Sequence, residues 1–229
     1  MNPIWKDFID LELNKDYGIK LKNFIIERRQ KTNVLPSPPD VFNCFKLCDF
    51  HFMKVVIISG EPYTNRNDAH GLAFSSLSKT TPTALKNILD EVYADYYNGS
   101  TGGVVPFKHN NLTQWATQGV LLVNSIFTVD EGKSGSHLNK GWETFTENMV
   151  KMINEKHPAK LVFCLWGAQA KKYKQHITNP NHLILESEHP ASAIHNNNSW
   201  FGNKNFSQAN NFIKKNYFNV KAPINFGLW

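Results

Sequence analysis

Four short apolar runs in this chain each end in groups of the kind that do chemistry: Glu61, Asn124, the Gly167-Ala168 pair and His189. A carboxylate, an amide and an imidazole together supply acid–base and hydrogen-bonding capacity. Glu61 is followed by Pro62 and Tyr63, so an acid and an aromatic leave the same run together. In an open α/β sheet, ligands occupy the crevice beyond the carboxyl ends of the strands. An acid and an aromatic placed there meet a substrate. Taken one at a time, the same residues also read as structure. A strand-Gly-Pro exit is common, an Asn after a strand turns or caps the chain, and a His-Pro pair makes an ordinary loop.

The elements that must position these groups are legible from periodicity. Val55-Val56-Ile57-Ile58 is apolar without alternation, as expected of a parallel strand buried on both faces. Gly119 to Asn124, Leu161 to Gly167 and Leu183 to Leu185 repeat the pattern, the last reaching Glu188-His189-Pro190. Helices are predicted over Lys6 to Gln30, Val41 to Cys48, Ala84 to Tyr96, Glu143 to Glu155, Ala168 to Tyr173 and Gln208 to Lys215. Asn33 to Pro39 reads as a loop, because Pro36, Pro38 and Pro39 prevent helix. Thr81 or Thr83 is placed to cap the helix at Ala84, with Pro82 in its first turn. Such an N-terminus binds phosphate well. Strands alternating with helices predict an α/β fold: one domain over residues 1–229, a central four-stranded parallel sheet with helices on both faces.

Composition sets the class. The 229 residues suffice for one sizeable α/β domain, and 41% hydrophobic with 19% charged residues reads as a soluble globular protein. No run approaches the roughly 18 apolar residues of a membrane span, and the N-terminus lacks an apolar leader core. The three cysteines, Cys44, Cys48 and Cys164, are too few for a disulfide framework. Cys44 and Cys48 lack a second ligand pair and read as buried thiols, not as zinc ligands. A reducing, cytoplasmic setting follows. The net charge of +6 favours a polyanionic partner through counterion release, and serves solubility equally well.

The stretch Ser59-Gly60-Glu61-Pro62-Tyr63, followed by Ala69-His70-Gly71-Leu72-Ala73-Phe74-Ser75, resembles the first motif of the uracil-DNA glycosylase family. There the strand ends Gly-Gln-Asp-Pro-Tyr-His and runs on to Ala-His-Gly-Leu-x-Phe-Ser. Gly119-Val120-Leu121-Leu122-Val123-Asn124 is similar to the family's Gly-Val-Leu-Leu-Leu-Asn. Ser136-His137 with Gly141-Trp142 resembles its Ser-His-x-x-x-Gly-Trp. The likeness covers nearly the whole chain, and it places the four strand ends together in the family's order and spacing.

The resemblance implies cleavage of the N-glycosidic bond of uracil in DNA, after the nucleotide is flipped into a pocket. Phe74 is expected to stack on the base, Asn124 to read its N3–H and O4, and Tyr63 to exclude a methyl at C5. His189 is expected to stabilise the departing anion. The carboxylate of Glu61 is expected to stabilise the sugar cation and orient water. Pro82, Thr83, Gly167, Ala168, Ser192, Ala193 and Ile194 fall at positions where the family contacts DNA or fills the vacated stack. No metal or other cofactor is implied. The expected partner is uracil-containing DNA, single- or double-stranded, acted on by a monomer that proteinaceous glycosylase inhibitors also bind; no membrane partner is expected.

The chain departs from the family at four motif positions. Ser59 replaces Gly, Gly60 replaces Gln, Glu61 replaces the catalytic Asp, and Thr64 replaces His. Glutamate keeps the charge and adds a methylene, while Gly60 removes a neighbouring side chain. The DNA grip is thinner too, with Ala168 for a serine, Thr83 for a serine, and Ala193 or Ile194 for the inserted leucine. Lys171, Lys172, Lys174 and Asn196-Asn197-Asn198 compensate through phosphate contacts, or the lysines form a solvated helix face. Two rivals stay open: excision of another modified pyrimidine in a pocket widened at Gly60 and Thr64, and binding without turnover.

Overall fold

The structure, a computed structural model, describes residues 1–97, 110–194, 200–217 and 223–226. In chain order its helices are α1 (Pro3–Leu13), α2 (Asp16–Lys31), α3 (Asn43–Leu47), α4 (Thr83–Tyr97), α5 (Thr113–Thr117), α6 (Trp142–Lys156), α7 (Ala168–Lys171) and α8 (Asn205–Asn216). The strands are β1 (Val34–Leu35), β2 (Val55–Ser59), β3 (Val120–Asn124), β4 (Val129–Asp130), β5 (Val162–Trp166) and β6 (Leu183–Ser187). Short 3₁₀ turns cover Pro38–Asp40, Lys172–His176 and Pro190–Ile194.

The main sheet has four parallel strands in the order β3-β2-β5-β6. Successive side chains of a strand point to opposite faces, and every residue of β2, β3 and β5 is buried. Both faces of the sheet are therefore covered, as the unbroken apolar runs predict. β6 is the more open edge, with Glu186 exposed and paired to Lys174. One apolar cluster runs from Trp5 to Phe226 and takes in all four strands. Register sets the strand ends level, Ser59 beside Asn124 and Trp166 beside Ser187.

Several boundaries differ from the sequence expectation. α1 begins at Pro3, because the Asn2 side chain accepts from the Ile4 N–H at 2.9 Å. The proline-rich loop contains β1, which pairs antiparallel with β4; two residues carry no period to read. α3 is shorter than Val41 to Cys48, because a 3₁₀ turn over Pro38–Asp40 precedes it. Thr81 does not cap α4, since its hydroxyl donates to Asn110. The Pro82 carbonyl accepts from the Lys86 N–H at 2.8 Å, so Pro82 stands at the cap and Thr83 begins the helix.

All three cysteines are free and buried. Burial pushes the Cys48 and Cys164 thiols up to about 12, which makes them inert. Among the described residues, no helix is long and apolar enough to cross a membrane.

Candidate active site

The level strand ends open into a cleft of about 1130 Å³. Gly60, where β2 exits, is anchored by its carbonyl, which accepts from Ile126 N–H at 2.9 Å and from the Ser125 hydroxyl at 2.8 Å. A Cβ added at Gly60 would meet nothing within 4 Å. That side of the cleft is open space.

The aromatic wall comes from the segment after Tyr63. The Tyr63 hydroxyl donates to the Phe74 carbonyl at 3.1 Å, and burial pushes its phenol well up. Phe74 sits at φ +63°, uncommon for a bulky residue. Its ring centroid lies 5.5 Å from that of Trp166 and 5.7 Å from that of His189. The turn leading to Phe74 requires glycine: at Gly71, φ is +83° and a Cβ would stand 1.8 Å from the Asp40 carbonyl oxygen. Ser75 Oγ then ties this turn down, accepting from Leu112 N–H at 2.8 Å and bonding His70 Nε2 at 2.7 Å.

Asn124 ends β3 inside the cleft and is only 7% exposed. Among the described residues its Oδ1 is buried without a hydrogen-bond partner. An unpaired buried acceptor costs about 1–3 kcal/mol, and at the wall of a cleft it is placed to accept from a ligand.

His189 lies across the cleft. Its Nδ1 accepts from the Ala191 N–H at 3.1 Å, which leaves the proton on Nε2. Burial holds the imidazole below its ordinary pKa, and so neutral at pH 7. Glu61 reaches the other way. Its carboxylate accepts from the Ser134 hydroxyl and from the Gly135 N–H, at 3.2 Å to Oε1 and 2.9 Å to Oε2.

Gly60, Glu61, Tyr63, Phe74, Pro82, Thr83, Asn124, Gly167, Ala168 and His189 all line the one cleft, as does Thr64. Ser192, Ala193 and Ile194 fall in the 3₁₀ turn Pro190–Ile194 beyond His189. The side chains of Ala193 and Ile194 and all of Asn196 to Asn198 lie outside the described residues. The lysines divide. Lys171 pairs with Glu188 and Lys174 with Glu186, whereas Lys172 lines the cleft and its ammonium donates to the Gln169 side chain, with no ion pair among the described residues.

Sequence reasoning missed Ser134, Gly135 and Trp166 as cleft residues. The nearest signal for the first two is the adjoining Ser136-His137, whose imidazole is fully buried. Thr128 Oγ1 accepts from Trp142 Nε1 at 2.7 Å and lies 2.7 Å from His137 Nδ1. His137 Nε2 then donates to Asp130 Oδ1 at 3.0 Å, and Asp130 also pairs with Arg28. The order resembles a hydroxyl–imidazole–carboxylate triad, but its hydroxyl and imidazole are shut away from the cleft, so it holds structure.

A family model for the Uracil DNA glycosylase superfamily matches residues 45–214. Uracil-DNA glycosylase 1 of Listeria innocua is 40% identical over 229 residues, 100% of this chain and 99% of that protein. The uracil-DNA glycosylase of Mycoplasmopsis pulmonis is 41% identical over 212 residues, 92% of each. Among solved structures, mimivirus uracil-DNA glycosylase superposes with a TM-score of 0.82 at 26% identity, covering 98% of this chain and 86% of that one. A Y322F form of the mimivirus protein, solved in complex with UGI, gives a TM-score of 0.84 at 26% identity, covering 98% and 88%.

Proposed function

This chain belongs to the uracil DNA glycosylase superfamily, and from that premise we infer that it excises uracil from DNA by hydrolysing the N-glycosidic bond, the opening step of base excision repair. The observation that carries the reading to particular residues is the unpaired Oδ1 of Asn124 at the floor of the cleft.

Uracil presents a donor at N3 and an acceptor at O4. Asn124 Oδ1 accepts the first and the amide NH₂ donates to the second. Cytosine reverses that pattern and would leave buried groups unpaired, which a site of this kind rejects strongly. Phe74 stacks on the ring. Aromatic–base stacking is worth about 1–3 kcal/mol. Tyr63, held by its bond to the Phe74 carbonyl, closes the C5 side against a methyl group.

In the reaction the C1′–N1 bond breaks and its electron pair passes to the base. The Nε2–H of neutral His189 donates to O2 and stabilises the charge that develops there. The carboxylate of Glu61 faces the cationic sugar and orients water toward C1′. As the C1′–O bond forms, the water passes its proton to the Glu61 carboxylate and on to solvent. The departing uracil anion takes up a proton from solvent, and the products are free uracil and an abasic site. Pro82 and Thr83 at the start of α4, with Gly167, Ala168 and Ser192, hold the flanking backbone. The 3₁₀ turn carrying Ala193 and Ile194 enters the space left by the flipped nucleotide. DNA is the macromolecular partner, and the enzyme works as a single-domain monomer without a metal. The same cleft is the target for a protein inhibitor of the kind seen on the mimivirus enzyme.

The test incubates oligonucleotides carrying uracil, hydroxymethyluracil or normal bases with the protein and scores strand nicking after alkali. Uracil-dependent nicking, lost in Asn124→Ala, is expected; nicking at uracil unchanged by Asn124→Ala would sink the assignment. The open space beside Gly60 favours a second activity on larger modified pyrimidines, which the same panel reads directly.

A further inference from the structure

We propose that the segment between β4 and α6 is a positioning clasp for Glu61, with Ser134 its principal side chain, so that the site is built for glutamate and not for the shorter acid. The proposal rests on the reading of Glu61 as the carboxylate that acts on the sugar.

The clasp holds the 61–64 turn at two points. Gly132 N–H donates to the Thr64 carbonyl at 2.8 Å, fixing the turn's far end. Ser134 Oγ and Gly135 N–H hold the carboxylate at the near end. Two donors aimed at one carboxylate fix its plane and leave its remaining lone pairs for water or sugar. An aspartate at position 61 ends one bond sooner and withdraws from both donors. The extra methylene is therefore what spans the gap, and Gly60 contributes no side chain in the way.

The segment itself is rigid where it is anchored. Asp130 N–H donates to Ser136 Oγ at 2.8 Å, Lys133 N–H to the Asp130 carbonyl at 3.0 Å, and Glu131 N–H to the Asn33 carbonyl at 2.8 Å. Behind these stands the Arg28–Asp130–His137–Thr128 chain, buried except for the half-buried Arg28. Ser134, in contrast, is exposed and belongs to none of these anchoring bonds. Its hydroxyl is available for the carboxylate, and its loss removes no core packing.

The experiment measures kcat, KM and thermal unfolding temperature on single-stranded uracil oligonucleotide for the parent, Ser134→Ala, Ser134→Thr, Glu61→Asp, the Glu61→Asp/Ser134→Ala double variant and Glu61→Gln. Ser134→Ala is expected to lower kcat about tenfold, the scale of one hydrogen bond to a charged group. KM should stay within about twofold and the unfolding temperature should not move, because a positioning role acts in the transition state. Ser134→Thr restores most of the rate. Glu61→Asp should be about a hundredfold slower than the parent, and Ser134→Ala should cost it nothing further, since the shorter acid no longer reaches the hydroxyl. An aspartate variant as fast as the parent, or a Ser134→Ala penalty of equal size in both backgrounds, overturns the clasp. Parental excision by Glu61→Gln overturns the reading of Glu61 beneath it, and the clasp falls with it.

Discussion

Gly167 packs directly under His189. A Cβ at Gly167 would lie 2.9 Å from His189 Cβ and 3.3 Å from its Cδ2, and the backbone there sits at φ +87°. The end of β5 and the imidazole that leaves β6 are thus in contact through the absence of a side chain. Gly167→Ala should push the ring away from the base. Displacement of about 1 Å costs on the order of 10²-fold in rate. We expect kcat to fall by about that factor with KM little changed and circular dichroism preserved. A variant as active as the parent would show that His189 does not depend on this seat.

Recognition is tested at Tyr63 and Asn124, the two residues proposed to read the base edge. Tyr63→Ala should admit thymine and give measurable thymine excision, since removing the ring opens the C5 side. Asn124→Asp should relax the rejection of cytosine, because a protonated carboxyl presents another donor pattern. Thymine and cytosine selectivity that both stay at parental levels in folded variants would refute the pocket assignment.

Burial holds His70, His137, His157, His182 and His189 all below the ordinary histidine value. The unfolded chain then binds more protons than the native one as pH drops through about 6.5. Their contribution is fully present above that value and is lost on acidification toward the native pKa values. The unfolding temperature should hold from pH 8 to about 7 and decline below about 6.5. In a histidine-labelled NMR titration, the His189 resonance should change at lower pH than that of an unfolded peptide. A His189 midpoint at or above the peptide's would contradict the neutral donor.

Binding to uracil-containing single strands should weaken with salt, as release of counterions requires. Lys172, which faces the cleft free of any acid in the described residues, should account for about one unit of the log–log slope, as one lysine–phosphate contact does. Lys171 and Lys174, tied to Glu188 and Glu186, should contribute less. Equal slopes for the parent and Lys172→Ala would remove that contact.

The sequence by itself determined the parallel sheet and most of the cleft. Unbroken apolar runs such as Val55 to Ile58 have one stable home, a strand covered on both faces, and parallel strands send their carboxyl ends the same way. That alone gathers Glu61, Asn124, Gly167 and His189 at one edge, and the motif around Tyr63 and Phe74 names the chemistry. What needed tertiary structure were contacts between segments without a period. β1 and β4 are two residues each, far apart in the chain, and pair antiparallel with Val34 opposite Asp130 and Leu35 opposite Val129. That no described residue pairs with Asn124 Oδ1 is a property of the assembled cleft and not of its own strand. Ser134 meets Glu61 from 73 residues away, on a β4–α6 segment that Gly132 ties to the Thr64 carbonyl and Asp130 anchors through Arg28 and His137. A serine in a polar loop carries no local trace of that return, since its partner lies 73 positions away along the chain.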